Sequence, residues 1–349
     1  AADLCLMGDP RLVKNLKESN VTVIQARGDR ATVDGEGAYT AVAEAAAPPL
    51  TFTLTKLPAG WRITSAPNGI VLDQDLFKSV FRAYSLMYYD PTWTFLVPDV
   101  RWFPTLNAST RIAAALINGQ PSPWLAKSVV SAFPETVSLG SPSVPVVNGV
   151  AQVDLKESAL TSDQTTLSRM QAQLADSLAS TGQVTSVTLS IAGSALDVTP
   201  APSRDTRVDS RTLALTAKGF GFIAAGQVDE LPGVSAAVVA LSPRSVELSD
   251  DRTTAAVLAG NGAVTRVDAA GPAALDQRAG LIAPSIDPFG YIWSVPQTSP
   301  SALVAAGTGA TRIAISSPWG GASRVDALQV SRDGTRIAAL VISGGRSVL

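Results

Sequence analysis

Three turn-forming segments recur in the last part of the chain, each ahead of an apolar, strand-like run. They are Leu248-Ser249-Asp250-Asp251, Pro284-Ser285-Ile286-Asp287-Pro288-Phe289-Gly290 and Val330-Ser331-Arg332-Asp333-Gly334. Their serines lie 36 and 46 residues apart, and those spacings bracket the roughly 40–45 residues of one propeller blade. The physical cause of the repeat is local. The Asp side chain bonds nearby backbone, and Gly or Pro sets the reversal between neighbouring strands. Propellers close with typically four to eight blades, so about three repeats predict an incomplete β-propeller over 212–349. The chain is therefore expected to be a fragment, or to lack part of its ring. Gly344-Gly345-Arg346-Ser347-Val348-Leu349 follows a strand-like run with no closing element and reads as cut.

Upstream, other patterns take over. Residues 1–107 open with a short helical piece and then alternate apolar and polar residues over Val21–Gln25 and Thr51–Leu57, as half-buried strands do. Leu57-Pro58-Ala59-Gly60-Trp61 turns into a strand over Trp61–Thr64, with further reversals at Gly28-Asp29 and Gly35-Glu36-Gly37. A helix is expected over Asp75–Tyr84, then strands over Ser85–Tyr89 and Trp93–Val97, an α+β pattern.

Residues 108–197 read as one α/β module. Ser109 or Thr110 caps a helix over Arg111–Asn118 that Gly119 ends, and Ser122-Pro123 opens a second that Pro134 stops. Strands follow at Val137–Leu139, Val144–Val147 and Val150–Leu155. Thr161-x-x-Gln164 matches a capping box before a helix with Leu167, Met170, Leu174 and Leu178 on one face. Gly182 ends that helix, and Val187, Leu189 and Ile191 alternate in a closing strand. Residues 198–211, with prolines and alternating charges, are the expected linker. The fold class is thus multi-domain, α+β and all-β, and the 46% of hydrophobic residues supply the cores it needs.

The chemistry is defined by what the sequence lacks. There is no histidine, and Cys5 is the only cysteine. That removes the side chain best suited to proton transfer near neutral pH, the usual zinc ligands and any Ser-His-Asp unit. Cys5, between Leu4 and Leu6, is expected to be a buried, inert thiol. No serine lies three residues before a lysine, and neither a Gly-x-Ser-x-Gly elbow nor a phosphate loop occurs. Gly219-x-Gly221-x-x-Ala224 imitates a dinucleotide fingerprint, but no clean helical pattern follows it; bends in a propeller strand are the better reading. Three carboxylate pairs, Asp73/Asp75, Asp229/Glu230 and Asp250/Asp251, satisfy the minimum for glycosidic chemistry. Asp73-Gln74-Asp75 stands where a helix wants a capping acid, and Asp250-Asp251 falls in the repeat turn. The expectation is a non-enzymatic chain with no catalytic residue, no cofactor and no metal. A net charge of −2 without a basic cluster points away from nucleic acid. No run is long enough to span a membrane and no signal segment opens the chain, so the chain is expected to be soluble as it stands, with any targeting segment upstream of Ala1.

One segment concentrates aromatic residues. Tyr88, Tyr89, Trp93, Phe95, Trp102 and Phe103 fall within sixteen residues of a chain that is only 6% aromatic. Tyr and Trp are enriched at binding hot spots, and the same residue types fill seams between domains. The second reading is preferred, and the six are taken as an interaction or inter-domain surface.

Certain motifs, in this order, carry a resemblance. Trp61-Arg62-Ile63, Pro67-x-Gly69, Val71-Leu72, Tyr84-Ser85-Leu86 and Leu96-Val97-Pro98-Asp99 resemble the N-terminal domain of the LpqB lipoproteins of actinobacteria. Pro121-Ser122-Pro123-Trp124-Leu125, Val150 to Leu155 and Met170 to Leu174 resemble a GerMN domain, and residues from about 212 resemble the start of the LpqB propeller. The resemblance implies an NTF2-like α+β domain, a GerMN α/β domain and an incomplete β-propeller. It also implies a lipid anchor on the outer face of the plasma membrane, through a cysteine upstream of this chain and not through Cys5. The implied partner is the extracytoplasmic domain of a two-component sensor histidine kinase of the MtrB type, in signalling linked to cell-wall homeostasis and division. The alternative is a binding module for cell-wall glycan or peptide. By the same resemblance, the first domain is expected to be short around Met7 to Pro10.

Overall fold

The computed structural model describes residues 4–7, 11–18, 20–309 and 311–349. It divides into two compact units, 1–203 and 204–349. The expectations for the Cys5 thiol and for missing residues around Met7 to Pro10 fall on the Cys5 side chain and on residues 8–10, which lie outside what is described.

The first unit begins with strands rather than a helix: Leu4–Met7 and Arg11–Glu18 are both extended. Leu4–Met7 pairs antiparallel with Arg30–Val33 and parallel with Ile70–Asp73, and Tyr39–Val42 completes that sheet. A second sheet, antiparallel throughout, runs Arg11–Glu18, Val21–Arg27, Leu50–Leu57, Gly60–Ser65. Helix α1, Gln74–Val80, starts where Asp73 accepts the Leu76 amide at 2.8 Å, the capping role expected of this acid. It is shorter than the expected Asp75–Tyr84 because Phe81–Tyr89 is drawn into a hairpin of nine residue pairs with Leu96–Pro104. Residues 92–95 are not the start of the second strand. They form a loop wrapped on the buried Asp90 carboxylate, which accepts the Thr92, Thr94 and Phe95 amides.

That hairpin packs on α2 (Ala108–Asn118) and α3 (Gln164–Ala179), and its Tyr84, Leu86, Tyr88 and Val97 share one core with Ile112, Leu116, Met170 and Leu174. Behind them, Val150–Leu155 and Ser186–Ile191 pair in parallel, with α3 as the crossover that a parallel pair requires. Short strands Val146–Val147 and Ser194–Ala195 flank the pair, and Val137–Leu139 contributes only a bridge from Leu139 to Leu155.

Two helix signals are overridden. The helix expected after Ser122 does not form, and residues 123–128 make turns only. Tertiary pairing explains this, because the Val130 backbone exchanges hydrogen bonds with Tyr89 at 2.7 and 2.9 Å, while Ser122 gives its amide and hydroxyl to Asp99. The expected capping box also fails. Thr161 is used within a 3-10 turn over Glu157–Thr161, and Asp163 caps α3 by accepting the Thr166 amide at 2.7 Å. The helix ends at Ala179, three residues before Gly182.

The second unit is an open, propeller-type array of four small antiparallel sheets, not about three. The first is Leu213–Thr216, Gly219–Ala224, Gln227–Glu230, followed by α4, Ser235–Ala240. Then come Ser245–Leu248 to Gly271–Asp276, Ser285–Ile286 to Arg312–Ala314, and Arg324–Val330 to Arg346–Val348. Each repeat turn joins the first strand of its sheet to the second. Asp251, Asp287 and Asp333 each accept backbone amides there, from Thr253, from Phe289 and Tyr291, and from Thr335. Among the described residues no strand of the last sheet pairs with one of the first.

Candidate functional site

The six aromatic residues fall into different surroundings. Tyr88, Tyr89 and Phe95 are fully buried and Phe103 nearly so, while Trp93 and Trp102 keep part of their surface. Burial pushes both tyrosine hydroxyls up to about 12. Tyr89 donates to the Arg169 carbonyl at 3.4 Å, whereas the Tyr88 hydroxyl has no protein partner among the described residues. Trp93 sits at φ 61 in the Asp90 loop, with its ring 5.1 Å from Tyr89 and the Arg169 guanidinium 4.1 Å above it.

Trp102 is part of a different group. Its ring is 5.0 Å from Phe77 and 5.9 Å from Tyr39, and Phe77 stacks on Phe81 at 5.0 Å. Together with Ala31, Ala41 and Val42, the rings of Tyr39, Phe77 and Trp102 wall a cavity of about 500 Å³. Sequence spacing held little sign of it, since Tyr39, Phe77 and Trp102 come from three separate elements. The one local hint is that Gln74, Phe77 and Lys78 share a helix face by their spacing.

Beneath the aromatic hairpin lies an ion pair that sequence reading missed. Asp99 and Arg101, both almost fully buried, meet through Nε at 3.1 Å and Nη2 at 2.9 Å. Asp99 also accepts the Ser122 amide and hydroxyl at 2.8 and 2.7 Å, and Arg101 donates to the Gln120 carbonyl at 2.9 Å. Spacing of two on one strand puts both on the same face, which was the available signal.

In the second unit, charged side chains converge beside the repeat turns. A cleft of about 320 Å³ is lined by Arg207, Arg211, Arg252 and Arg332 and by Asp209, Glu247 and Asp250. Arg211 and Arg252 both reach Asp209 at 2.9 and 2.7 Å, and Arg332 pairs with Asp250. The Arg211 hydrogen bonds hold the Asp209 carboxyl down at about 2. On the floor, Glu247 accepts Gln329 Nε2 at 2.7 Å, and burial pushes its carboxyl above the ordinary range despite that bond.

The carboxylate pairs are occupied structurally: Asp73 caps α1, Asp229 pairs with Arg211 at 3.0 Å, and Asp251 holds its turn. Gly221 is a strand residue whose added Cβ would lie 2.2 Å from the Asp229 carbonyl. That is close strand packing rather than a phosphate cradle. No group of three or more Asp, Glu or Cys residues is placed to hold a metal among the described residues. No helix among them is long and apolar enough to cross a membrane.

Three family models match along the chain in order. Residues 4–78 match the lipoprotein LpqB N-terminal domain, 85–197 match a sporulation and spore germination domain, and 222–349 match the lipoprotein LpqB beta-propeller domain. Among curated relatives, the lipoprotein LpqB of Thermobifida fusca is 28% identical over 53% of this chain and 30% of its own length. That of Bifidobacterium longum is 32% identical over 36% of this chain and 21% of its own. That of Mycolicibacterium smegmatis is 30% identical over 41% and 26%. The chain thus spans less than a third of the length of these relatives. A solved structure of the tandem GerMN domains of the sporulation protein GerM from Bacillus subtilis is 15% identical over 51% of this chain and 58% of that one, with a TM-score of 0.29.

Fold and matches define a class: multi-domain proteins in which an LpqB-type N-terminal domain and a germination-type α/β domain precede a β-propeller. The chain belongs to the LpqB lipoprotein family of actinobacteria.

Proposed function

We propose that this chain is part of a non-enzymatic, extracytoplasmic lipoprotein that binds and modulates the sensor domain of a two-component histidine kinase of the MtrB type. Its setting is the outer face of the plasma membrane, held by a lipid anchor upstream of Ala1, and its role is in cell-wall homeostasis and division. The observation that carries the reading is the charged cleft of the second unit. Asp250, Arg252 and Arg332 are held there by blade turns, Glu247 by a strand, and Arg207, Asp209 and Arg211 by the segment leading into the first sheet, with Arg252 and Arg207 reaching solvent. Such patterned charge steers and orients a protein partner more than it traps a small molecule. Family membership supports the lipoprotein setting. The proposed domain division is N-terminal, GerMN-like and partial propeller, joined by a linker over 198–211. The first boundary is best drawn near residue 80, ahead of 107, because the hairpin from Phe81 packs in the GerMN-like core.

Capture of the kinase's extracytoplasmic domain by the full-length lipoprotein tests the proposal. Saturable binding that the Arg207→Glu/Arg252→Glu double variant weakens is expected, and absence of saturable binding overturns it. A second reading, recognition of cell-wall glycan or peptide, is favoured by Trp124, which is 64% exposed in the turn region after α2. It requires peptidoglycan fragments to perturb tryptophan fluorescence in a Trp124-dependent way, and a flat titration removes it. Of the six aromatic residues, Trp93 and Trp102 are the ones we assign to an interaction surface, and the other four to packing.

A further inference from the structure

The cavity of the first unit is unusual for what borders it. Here about 500 Å³ stays open beside Phe77, Trp102 and Tyr39, a volume within the range of about 300–1,000 Å³ typical of small-ligand sites. Small residues keep it open. Ala31 and Ala41, on neighbouring strands, present methyl groups where larger side chains would close the space against the aromatic rings. Tyr39 is 46% exposed although its ring abuts Trp102, because it borders the mouth.

The mouth has a charge preference. Arg30 and Lys78 line it, and neither has an ion pair among the described residues. Asp29 is the one carboxylate in the lining among the described residues, and Gln74, one helix turn before Lys78, offers an amide. Apolar, largely aromatic walls below two cations fit a flat apolar body with an anionic head.

We propose that this cavity is a binding site for a small amphipathic acid, its aromatic or acyl body lying against Trp102 and Phe77 and its anionic group meeting Arg30 and Lys78. The site lies outside the charged cleft assigned to a protein partner, so it adds a ligand to that reading without depending on it.

The test uses the full chain and two probes with the same body. One is 8-anilinonaphthalene-1-sulfonate, and the other is N-phenyl-1-naphthylamine, which lacks the sulfonate. Saturable binding of the sulfonate at one site, at least tenfold tighter than the uncharged probe, is expected. Ala41→Phe, which fills the cavity from an exposed position, should abolish it. Arg30→Gln/Lys78→Gln should reduce the sulfonate's affinity about tenfold and leave the uncharged probe unchanged. Circular dichroism checks that each variant is folded. If Ala41→Phe does not fold, the double variant on the surface still decides. Equal affinity for both probes, unchanged sulfonate binding in the double variant, or full binding to a folded Ala41→Phe protein overturns the proposal.

Discussion

Removing the Asp99 carboxylate should unlock the hairpin from the α/β core. Asp99→Ala leaves Arg101 charged, 3% exposed and without its carboxylate, and strands the Ser122 amide and hydroxyl that the acid accepted. Breaking a buried pair by deleting one member costs roughly 3–5 kcal/mol, because the remaining charge stays buried and uncompensated. The Gln120 carbonyl at 2.9 Å still accepts from Arg101, which holds the loss toward the lower end. The orphaned Ser122 amide works against this, at about 1–3 kcal/mol when a buried donor loses its acceptor. About 4 kcal/mol is therefore expected. With a urea slope of ~2 kcal/mol/M, the midpoint falls by about 2 M.

The measurement is urea unfolding of the full chain, with the transition of the first unit identified by hydrogen exchange in peptides covering 81–104. Asp99→Leu/Arg101→Met supplies the control, since replacing a buried pair by apolar residues of similar volume is often neutral or stabilising. The double variant should recover most of the loss. A single variant that costs less than about 1 kcal/mol, or a double variant as unstable as the single, refutes the reasoning, because the pair would then not be desolvated as its burial implies.

Three further perturbations follow from the same structure. Tyr88→Phe removes a buried hydroxyl that no group among the described residues satisfies, so it should leave stability unchanged or raise it by up to about 1 kcal/mol in urea titration; a clear loss would reveal a partner for that oxygen. Glu247 has its folded carboxyl raised by burial, so the folded state holds this proton more tightly than the unfolded chain does. Its contribution is accordingly most favourable below the ordinary glutamate range and declines as pH rises through the folded value. Glu247→Gln should flatten that decline in thermal melts taken across the acidic range, and an unchanged pH profile would count against it. Gly221→Ala places a methyl 2.2 Å from the Asp229 carbonyl of the paired strand. Parting these strands should cost about 1–3 kcal/mol, read as earlier proteolysis of the second unit, and wild-type resistance would show that the strands can separate freely.

Local signals were legible where local physics decided the outcome. Alternation marked the strands at 21–27, 50–57, 150–155 and 186–191, and Asp73 capped the helix it preceded. The repeat turns held because an Asp bonding its own neighbours needs no distant partner. The first sheet of the second unit lies within the expected propeller but adds no repeat to the count of about three, because its reversal uses Thr216 and Lys218-Gly219, without the Ser-Asp signature. Signals failed where a distant strand competed for the same backbone. Val130 bonds Tyr89, so the helix that Pro123 invites cannot continue through it. Ser122 is likewise claimed by Asp99, twenty-three residues away in sequence.

The aromatic segment shows what composition can and cannot say about a site. Six rings in sixteen residues could be read as one surface, yet strand geometry divides them. Successive side chains on a strand point to opposite faces, and Trp102 and Phe103 are consecutive on Leu96–Pro104. Phe103 faces the core, its ring 6.5 Å from Tyr84 and tight against Gly37, whose φ of 81 and missing side chain let the loop approach. Trp102 faces the other way, toward Phe77 and Tyr39 and the open cavity. One strand thus closes the α/β core with one side and builds a wall of the N-terminal cavity with the other. A slip of one residue in its register would exchange the two roles. The nine-pair ladder with Phe81–Tyr89 holds that register in place, while Asp99 and Arg101, on the same strand, tie it to Ser122 and Gln120. Because Asp99 anchors the strand that carries Trp102, the loss of stability expected on removing Asp99 should be accompanied by loss of the cavity's order.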